Sequence, residues 1–365
     1  MTVRDLQRSF AAWRAVETPL VLASVYETEG STYSKPGARM LIAGDGTFQG
    51  MLSGGCLEGD LVQRAVAVLE TGAPQCVTYD LGRNDEELWG LGVGCDGLMR
   101  IFLQPLLPDD GYQPFSAYAE VLAGDAAGIA ITLLESQHSM LRPGATLVRA
   151  NDDMLAFGVP DGHCDVLVAA SQAAFAEKKS YTRALEVDGY SVKALIALLL
   201  PPPRILILGA GLDAEPLLRL ATELGWRATV QDHRPAYIER GDFSTAEEVL
   251  SVAADSLAGQ VALDRYAAAI VMSHHLATDR SYLRLLAGSA IPYVGLLGPG
   301  DRRKRLMEDL GAAGRSLAHR LHGPAGFDIG AAGPASIALS ILAEIHAALA
   351  GDPRQGARSS VLTPG

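Results

Sequence analysis

The chain has 365 residues, 48% of them hydrophobic and 20% charged, a globular composition long enough for two or three domains. A net charge of -12 and a pI near 5.1 exclude a general nucleic-acid binder, whose electrostatic footprint is basic. The strongest apolar runs, Ala194–Leu200 and Ile205–Leu208, are split by Pro201-Pro202-Pro203 and fall short of a membrane span.

The N-terminal residues form a charged amphipathic helix with Val3, Leu6, Phe10 and Trp13 at helical spacing, not a secretory signal. Cys56, Cys76, Cys95 and Cys164 contain no CxxC pair, so a reduced cytoplasmic setting is expected. Pro19–Glu27 reads as a buried strand, and a Gly/Ser/Pro-rich loop follows. Asp45-Gly46 between Arg39–Ala43 and Thr47–Leu52 predicts a hairpin. That hairpin runs into Gly54-Gly55-Cys56, with Glu58 at the mouth of a helix that ends at Gly72. Strands are expected at Cys76–Asp80 and Leu98–Gln104, with a second glycine-cysteine turn, Gly90–Gly97, before the latter. Residues 1–108 thus predict one α+β domain. Residues 109–200 predict a variable middle region with strands at Ile129–Glu135, Thr146–Arg149, Met154–Phe157 and Val166–Ala169. No internal repeat is visible.

After the prolines the pattern changes. Residues 204–234 read as strand, glycine turn, helix and strand. Gly209, Gly211 and Ala214 fit GxGxxA, and Asp232 lies about twenty residues beyond the turn, as a ribose-binding acid would. Further alternation through Ala267–Ser273, Asp279–Leu286, Ile291–Leu297, Asp301–Leu310 and Pro334–Leu349 predicts an α/β doubly wound parallel sheet over residues 201–350. A flexible tail, 351–365, follows. Ligands of such sheets bind outside the carboxyl ends of the strands, which nominates the loops at Gly209–Asp213, at His274-His275 and at Gly298-Pro299-Gly300. The last loop leads into Asp301-Arg302-Arg303-Lys304-Arg305, which suits either an anion at a helix N-terminus or a solvated charged face. Asp328, in a glycine-rich loop before the final helix, either fixes local backbone or touches ligand. Sulfur chemistry at Cys56 or Cys95 requires thiolate; the helix start after Cys56 favours it, and Asp96 beside Cys95 opposes it.

The motifs GSTYSKPGARMLI, GGCLEGDL and GVGCDGLMRIF, followed by ILGAGLDAEPL, VQDHRP, PYVGLLGP and LHGPAGFDIGA, resemble those of the XdhC/CoxI family of accessory proteins for molybdenum hydroxylases. The resemblance implies a Rossmann-like C-terminal domain, a homodimer, and a chaperone for the molybdenum cofactor (molybdopterin). Such a chaperone holds the cofactor while a cysteine desulfurase adds its terminal sulfur, and inserts it into the client hydroxylase. By motif it implies Cys56 and Cys95 as thiol ligands for the metal centre, and Gly209, Gly211 and Asp232 as a nucleotide-type site. Two alternatives stand beside it. One is an NAD(P)-dependent oxidoreductase using the glycine turn and an acid-base group at His274 or His275. The other is an interaction scaffold.

Overall fold

Residues Leu20–Val25 are all buried, and apolar but for Ser24, because their strand is covered on both faces. Leu20 and Leu22 point into one core, and Val21, Ala23 and Val25 into another, as the period of two requires. The computed structural model describes residues 2–80 and 97–351 and divides into two compact units, Met1–Pro201 and Pro202 onward.

In the first unit, α1 (Val3–Ala15) is closed by a Thr2/Asp5 capping box. It precedes β1 (Leu20–Gly30), β2 (Arg39–Ala43) and β3 (Phe48–Gly50), then α2 (Glu58–Thr71), β4 (Gln75–Asp80) and β5 (Gly97–Leu106). These strands make an antiparallel sheet of order β3-β2-β1-β5-β4. Next come α3 (Phe115–Ala123), β6 (Gly128–Ser136), β7 (Thr146–Ala150) and β8 (Asp153–Phe157). The unit continues with α4 (Asp161–Ala170), α5 (Gln172–Glu177), β9 (Tyr181–Val187) and β10 (Tyr190–Leu199). The second sheet, also antiparallel, has the order β8-β7-β6-β10-β9.

The two orders are the same, displaced by five strands. Each copy is preceded by a helix, and each carries its crossover helix between its third and fourth strands. The first unit is therefore an internal structural repeat, which residue identity does not reveal. Its layers run α2, first sheet, second sheet, α4–α5. Leu20, Leu22, Ala130 and Leu199 share the core between the sheets, α2 packs on the first sheet, and α4 with α5 covers the second. Val166–Ala169, expected as a strand, lies in α4. Its buried positions, His163, Cys164, Leu167 and Ala170, have helical spacing, and the exposed Val166 imitates a strand only by composition.

The second unit holds β11 (Arg204–Leu208), α6 (Ala214–Glu223), β12 (Arg227–Gln231), α7 (Pro235–Arg240), β13 (Glu248–Leu250) and β14 (Ala268–Val271). It ends with α8 (Leu276–Ala287), β15 (Tyr293–Leu296), α9 (Gly300–Leu310), α10 (Ala312–Leu317), β16 (Leu321–His322) and α11 (Pro334–Ala350). Its six strands are parallel, in the order β13-β12-β11-β14-β15-β16. One face packs on α6 and α11, the other on α8, α9 and α10. This is a Rossmann-type doubly wound sheet, and its order reverses between β11 and β14. No helix among the described residues is long and apolar enough to cross a membrane.

Candidate functional site

The Gly54-Gly55-Cys56 turn connects β3 to α2. Gly54 and Gly55 have φ of +82° and +113°, a region closed to side-chain-bearing residues, so the turn depends on glycine. Glu58 organises it from beneath. Only 3% exposed, it accepts the N–H groups of Leu52 and Ser53 on Oε1 at 2.8 and 2.9 Å. Its Oε2 accepts the Ser53 hydroxyl at 2.5 Å and the Gly55 N–H at 3.0 Å, and Ser53 Oγ in turn accepts Leu57 N–H at 2.8 Å. Burial opposes its charge, but the hydrogen bonds from Ser53 and Leu52 outweigh that and hold the carboxyl below its ordinary range. Glu58 thus shapes the turn. Cys56 is half-buried in this turn. The ring of Tyr33, 62% exposed, lies over Gly54, close enough that a β-carbon there would stand 3.5 Å from it. This joins the GSTYSKPG and GGCLEGD motifs and adds Tyr33, which sequence reasoning passed over, to the candidates at this turn. Cys95 and most of its turn lie outside the described residues.

In the second unit the expected loops gather at the carboxyl ends of the parallel strands. Gly209, at φ +129°, passes so close to β14 that a β-carbon would meet the Met272 carbonyl oxygen at 2.5 Å. Asp232, beyond β12, is 0% exposed and accepts Ala210 N–H at 2.9 Å. The same carboxylate accepts Arg234 N–H, Nε and Nη2 at 2.9, 2.9 and 2.8 Å. Burial opposes charge here too, and the Arg234 guanidinium with the N–H groups of Ala210 and Arg234 holds the carboxyl below its usual value. Asp232 therefore ties the glycine loop to Arg234 and is fully committed to that task; a ribose hydroxyl would have to displace one of these partners.

Across the switch point, His274 takes φ +57° and its Nε2 lies 2.7 Å from Asp213 Oδ2. That hydrogen bond, partly offset by burial, raises the histidine above its ordinary pKa. The pair spans the crevice beside Gly211. A raised value means that its contribution is present at acidic pH and is lost as pH rises through the raised pKa. Asp213→Asn should return the His274 titration, followed by its imidazole NMR shifts, toward the ordinary histidine value. An unchanged titration would dissociate the two groups. His275 instead caps α8, its Nδ1 accepting Thr278 N–H at 3.4 Å.

Deeper in, Ser273 donates to Asp279 at 2.5 Å, and Arg302 donates to the same carboxylate through Nη2 at 2.5 Å and Nε at 3.2 Å. Arg302 is backed by Gly298, where a β-carbon would strike its Cδ at 2.8 Å. Part of the basic run after Gly298 is thereby spent on a buried aspartate. Asp328 is exposed and accepts Gly330 N–H at 3.4 Å, a local turn contact. The group that holds its loop is Glu344 of α11, which accepts Tyr293 OH at 2.6 Å and Gly326 N–H at 2.8 Å and pairs with His322 Nδ1 at 3.1 Å. The LHGP motif carries the signal for His322; nothing local marks Glu344, which sits in an apolar helix.

The family model for the XdhC and CoxI family matches residues 13–80, and that for the XdhC Rossmann domain matches residues 205–345. The chain belongs to the XdhC/CoxI family. A Bacillus subtilis (strain 168) relative, named as a probable subunit of xanthine dehydrogenase, is 29% identical over 325 residues, 89% of this chain and 92% of that one. The Escherichia coli (strain K12) protein YqeB, uncharacterized, is 24% identical over 90% of this chain but only 43% of its own length. A crystal structure from Bacillus halodurans, described as a xanthine dehydrogenase, superposes with a TM-score of 0.78 at 27% identity. The match covers 100% of this chain and 98% of that one. Both XdhC segments thus occur here in one chain, with the glycine-cysteine turn in the first and the charged crevice in the second.

Proposed function

We propose that this XdhC/CoxI protein is a maturation factor for a molybdenum hydroxylase of the xanthine dehydrogenase type. In this reading it binds the molybdenum cofactor, holds it while a cysteine desulfurase supplies the terminal sulfur, and delivers it to the client enzyme as a homodimer. The observation that carries the reading is the joint presence of both XdhC segments in one chain, aligned nearly end to end with a relative whose name places it with xanthine dehydrogenase.

The residues fit such a ligand in kind. The glycine loop lets backbone approach a phosphate, and His274 is a partly exposed group, disposed to carry charge, at the same crevice. In the first unit a half-buried thiol, two residues without side chains and an exposed aromatic ring offer a soft ligand beside a surface for a flat heterocycle. Bound there, the cofactor would supply the molybdenum centre and its pterin dithiolene. The first unit's part would be to bind and orient it, with Tyr33 as a stacking surface and Cys56 as a soft ligand; Gly209, Gly211 and His274 of the second unit form, by themselves, a crevice suited to a phosphate.

Protein produced with a full cofactor supply and purified anaerobically under reducing conditions should release an oxidised, fluorescent pterin. Cys56→Ser should retain less of it or support less sulfuration. A pterin-free protein would overturn the proposal, and unchanged transfer by Cys56→Ser would remove that thiol from it. The close backbone approach at Gly209 also suits NAD(P), which sustains an oxidoreductase as the competing reading. Titration with reduced nicotinamide dinucleotide, giving tight binding and substrate-dependent oxidation, would favour that reading instead.

A further inference from the structure

The second sheet of the first unit carries a cluster that neither the glycine-cysteine turn nor the crevice uses. His138 follows β6, His163 is the third residue of α4, and Asp188 opens the tight turn from β9 to β10. A ligand atom of each lies within 4.8 Å of the other two, and among the described residues this is the one place where three such groups converge. The Nε2 atoms of His163 and His138 stand 2.9 and 3.5 Å from the same oxygen, Asp188 Oδ2. Both histidines are 8% exposed, whereas the Asp188 side chain faces solvent, so the group is walled on one side and open on the other.

The structural repeat supplies an independent reason to regard this convergence as a property of the fold. In each copy, three segments correspond: the loop after the first strand, the start of the crossover helix, and the connection between the fourth and fifth strands. In the second copy these segments carry His138, His163 and Asp188. In the first, the loop carries Tyr33, whose ring lies over Gly54, and the turn into the helix carries Cys56. The duplicated scaffold therefore gathers chemistry-bearing residues at the same end of both sheets.

We propose that His138, His163 and Asp188 bind a first-row divalent cation of the Zn²⁺ class, a site independent of the cofactor reading above. Two imidazole nitrogens and one carboxylate oxygen with a further position open to solvent form the donor set of three-ligand zinc sites, and also suit Fe²⁺ or Co²⁺. The spacing is close to what is required, since tetrahedral bonds of zinc length place ligand atoms about 3.4 Å apart. His138 and Asp188 already stand at 3.5 Å; His163 and Asp188, at 2.9 Å, need only open slightly. Asp188 has the freedom to do so because it sits on an exposed turn.

The competing account is a carboxylate that merely accepts an N–H from each ring. The two accounts differ in where the ring protons sit. Without a cation, Nε2 of each neutral imidazole carries the proton, and His138 Nδ1 accepts Met140 N–H at 3.2 Å. His163 Nδ1 is buried with no partner. With a cation on Nε2, each neutral ring keeps its single proton but on Nδ1, so no net proton is released. The Met140 contact must then break, because two donors would face each other.

The test is calorimetric titration of Zn²⁺ into chelator-treated full-length protein in the Cys56→Ser background, with Co²⁺ as a spectroscopic substitute. One ion per chain should bind, with a Co²⁺ spectrum of nitrogen and oxygen ligands and faster hydrogen exchange at the Met140 amide. Asp188→Asn, which retains a residue tolerant of the φ of +51° at this turn, should weaken binding at least about tenfold, as should His163→Gln. Absence of binding, unchanged affinity in both variants, or a thiolate-ligated Co²⁺ spectrum would each overturn the site. The exchange readout uses the unsubstituted residues and holds even if a variant fails to fold.

Discussion

Asp232→Ala is expected to destabilise the Rossmann unit by about 2–3 kcal/mol, the cost of leaving a buried backbone donor and a partly exposed guanidinium without their acceptor. The carboxylate is fully buried and receives four hydrogen bonds, from Ala210 N–H and from three groups of Arg234. Its loss leaves a guanidinium without its counter-charge and a buried backbone N–H without an acceptor, at the hinge of the glycine loop. Hydrogen exchange in β11, β12 and the Gly209–Asp213 loop should report the change separately from the first unit. The carboxyl is held below its ordinary pKa, so the same stabilisation is present above the ordinary carboxylate value and disappears as pH falls through the lowered one. A ribose-binding aspartate would behave differently. Its removal would cost ligand affinity and leave the unliganded fold within about 0.5 kcal/mol of the parent, and that result would refute the structural role.

Glu58→Ala is the second large effect, on the order of 3 kcal/mol, because the N–H groups of Leu52, Ser53 and Gly55 lose their acceptor together. The buried Leu52 donor, left bare, costs more than the net worth of the bond it made, and the partly exposed Ser53 and Gly55 donors add less. Glu58→Gln should fall between the two, since an amide oxygen can accept some of these bonds while its NH₂ faces other donors. As for Asp232, the contribution is present above the ordinary carboxylate pKa and is lost as acid carries the pH through the lowered one. Urea unfolding gives the magnitude, and alkylation of Cys56 gives the location, since a loosened turn should expose the thiol and speed its labelling. Parent-like stability and unaltered labelling in Glu58→Ala would show that the carboxylate does not hold the turn.

These two residues mark the limit of what the sequence could convey. The spacing of Asp232 from Gly209 identified a doubly wound sheet correctly, because that spacing reflects a βαβ unit of fixed dimensions. It could not convey the direction of the carboxylate, which is set by Arg234 two residues on and by the Ala210 amide it meets. Glu58 was legible as the residue after a glycine turn, but whether it faces outward to a ligand or inward to the backbone depends on how the chain doubles back at Leu52. The second antiparallel sheet was harder still. Ile129–Glu135, Thr146–Arg149 and Met154–Phe157 mark β6, β7 and β8, whereas β9 alternates poorly and lacks the period-two signature that reveals a strand. His138, His163 and Asp188 belong to three separate segments of that sheet's copy, and only the shared topology brings them together. The buried pair of Asp279 and Arg302 escaped for a simpler reason: a basic run at a helix start reads as surface until one member is seen to turn inward.

The order of strands within each copy also governs when the first unit can form during synthesis. The first strand of each sheet is central and pairs with the last: Leu20 with Leu106 in one, Gly128 with Leu199 in the other. Neither sheet can close until its final strand has left the ribosome, and until then the inner strand presents a bare hydrogen-bonding edge. The parallel sheet that follows grows by shorter steps, each new strand docking beside one already placed. The closing pairings of the first unit, distant in sequence, add loop-closure cost to its folding and leave the inner strand's edge open in the nascent chain until its partner arrives.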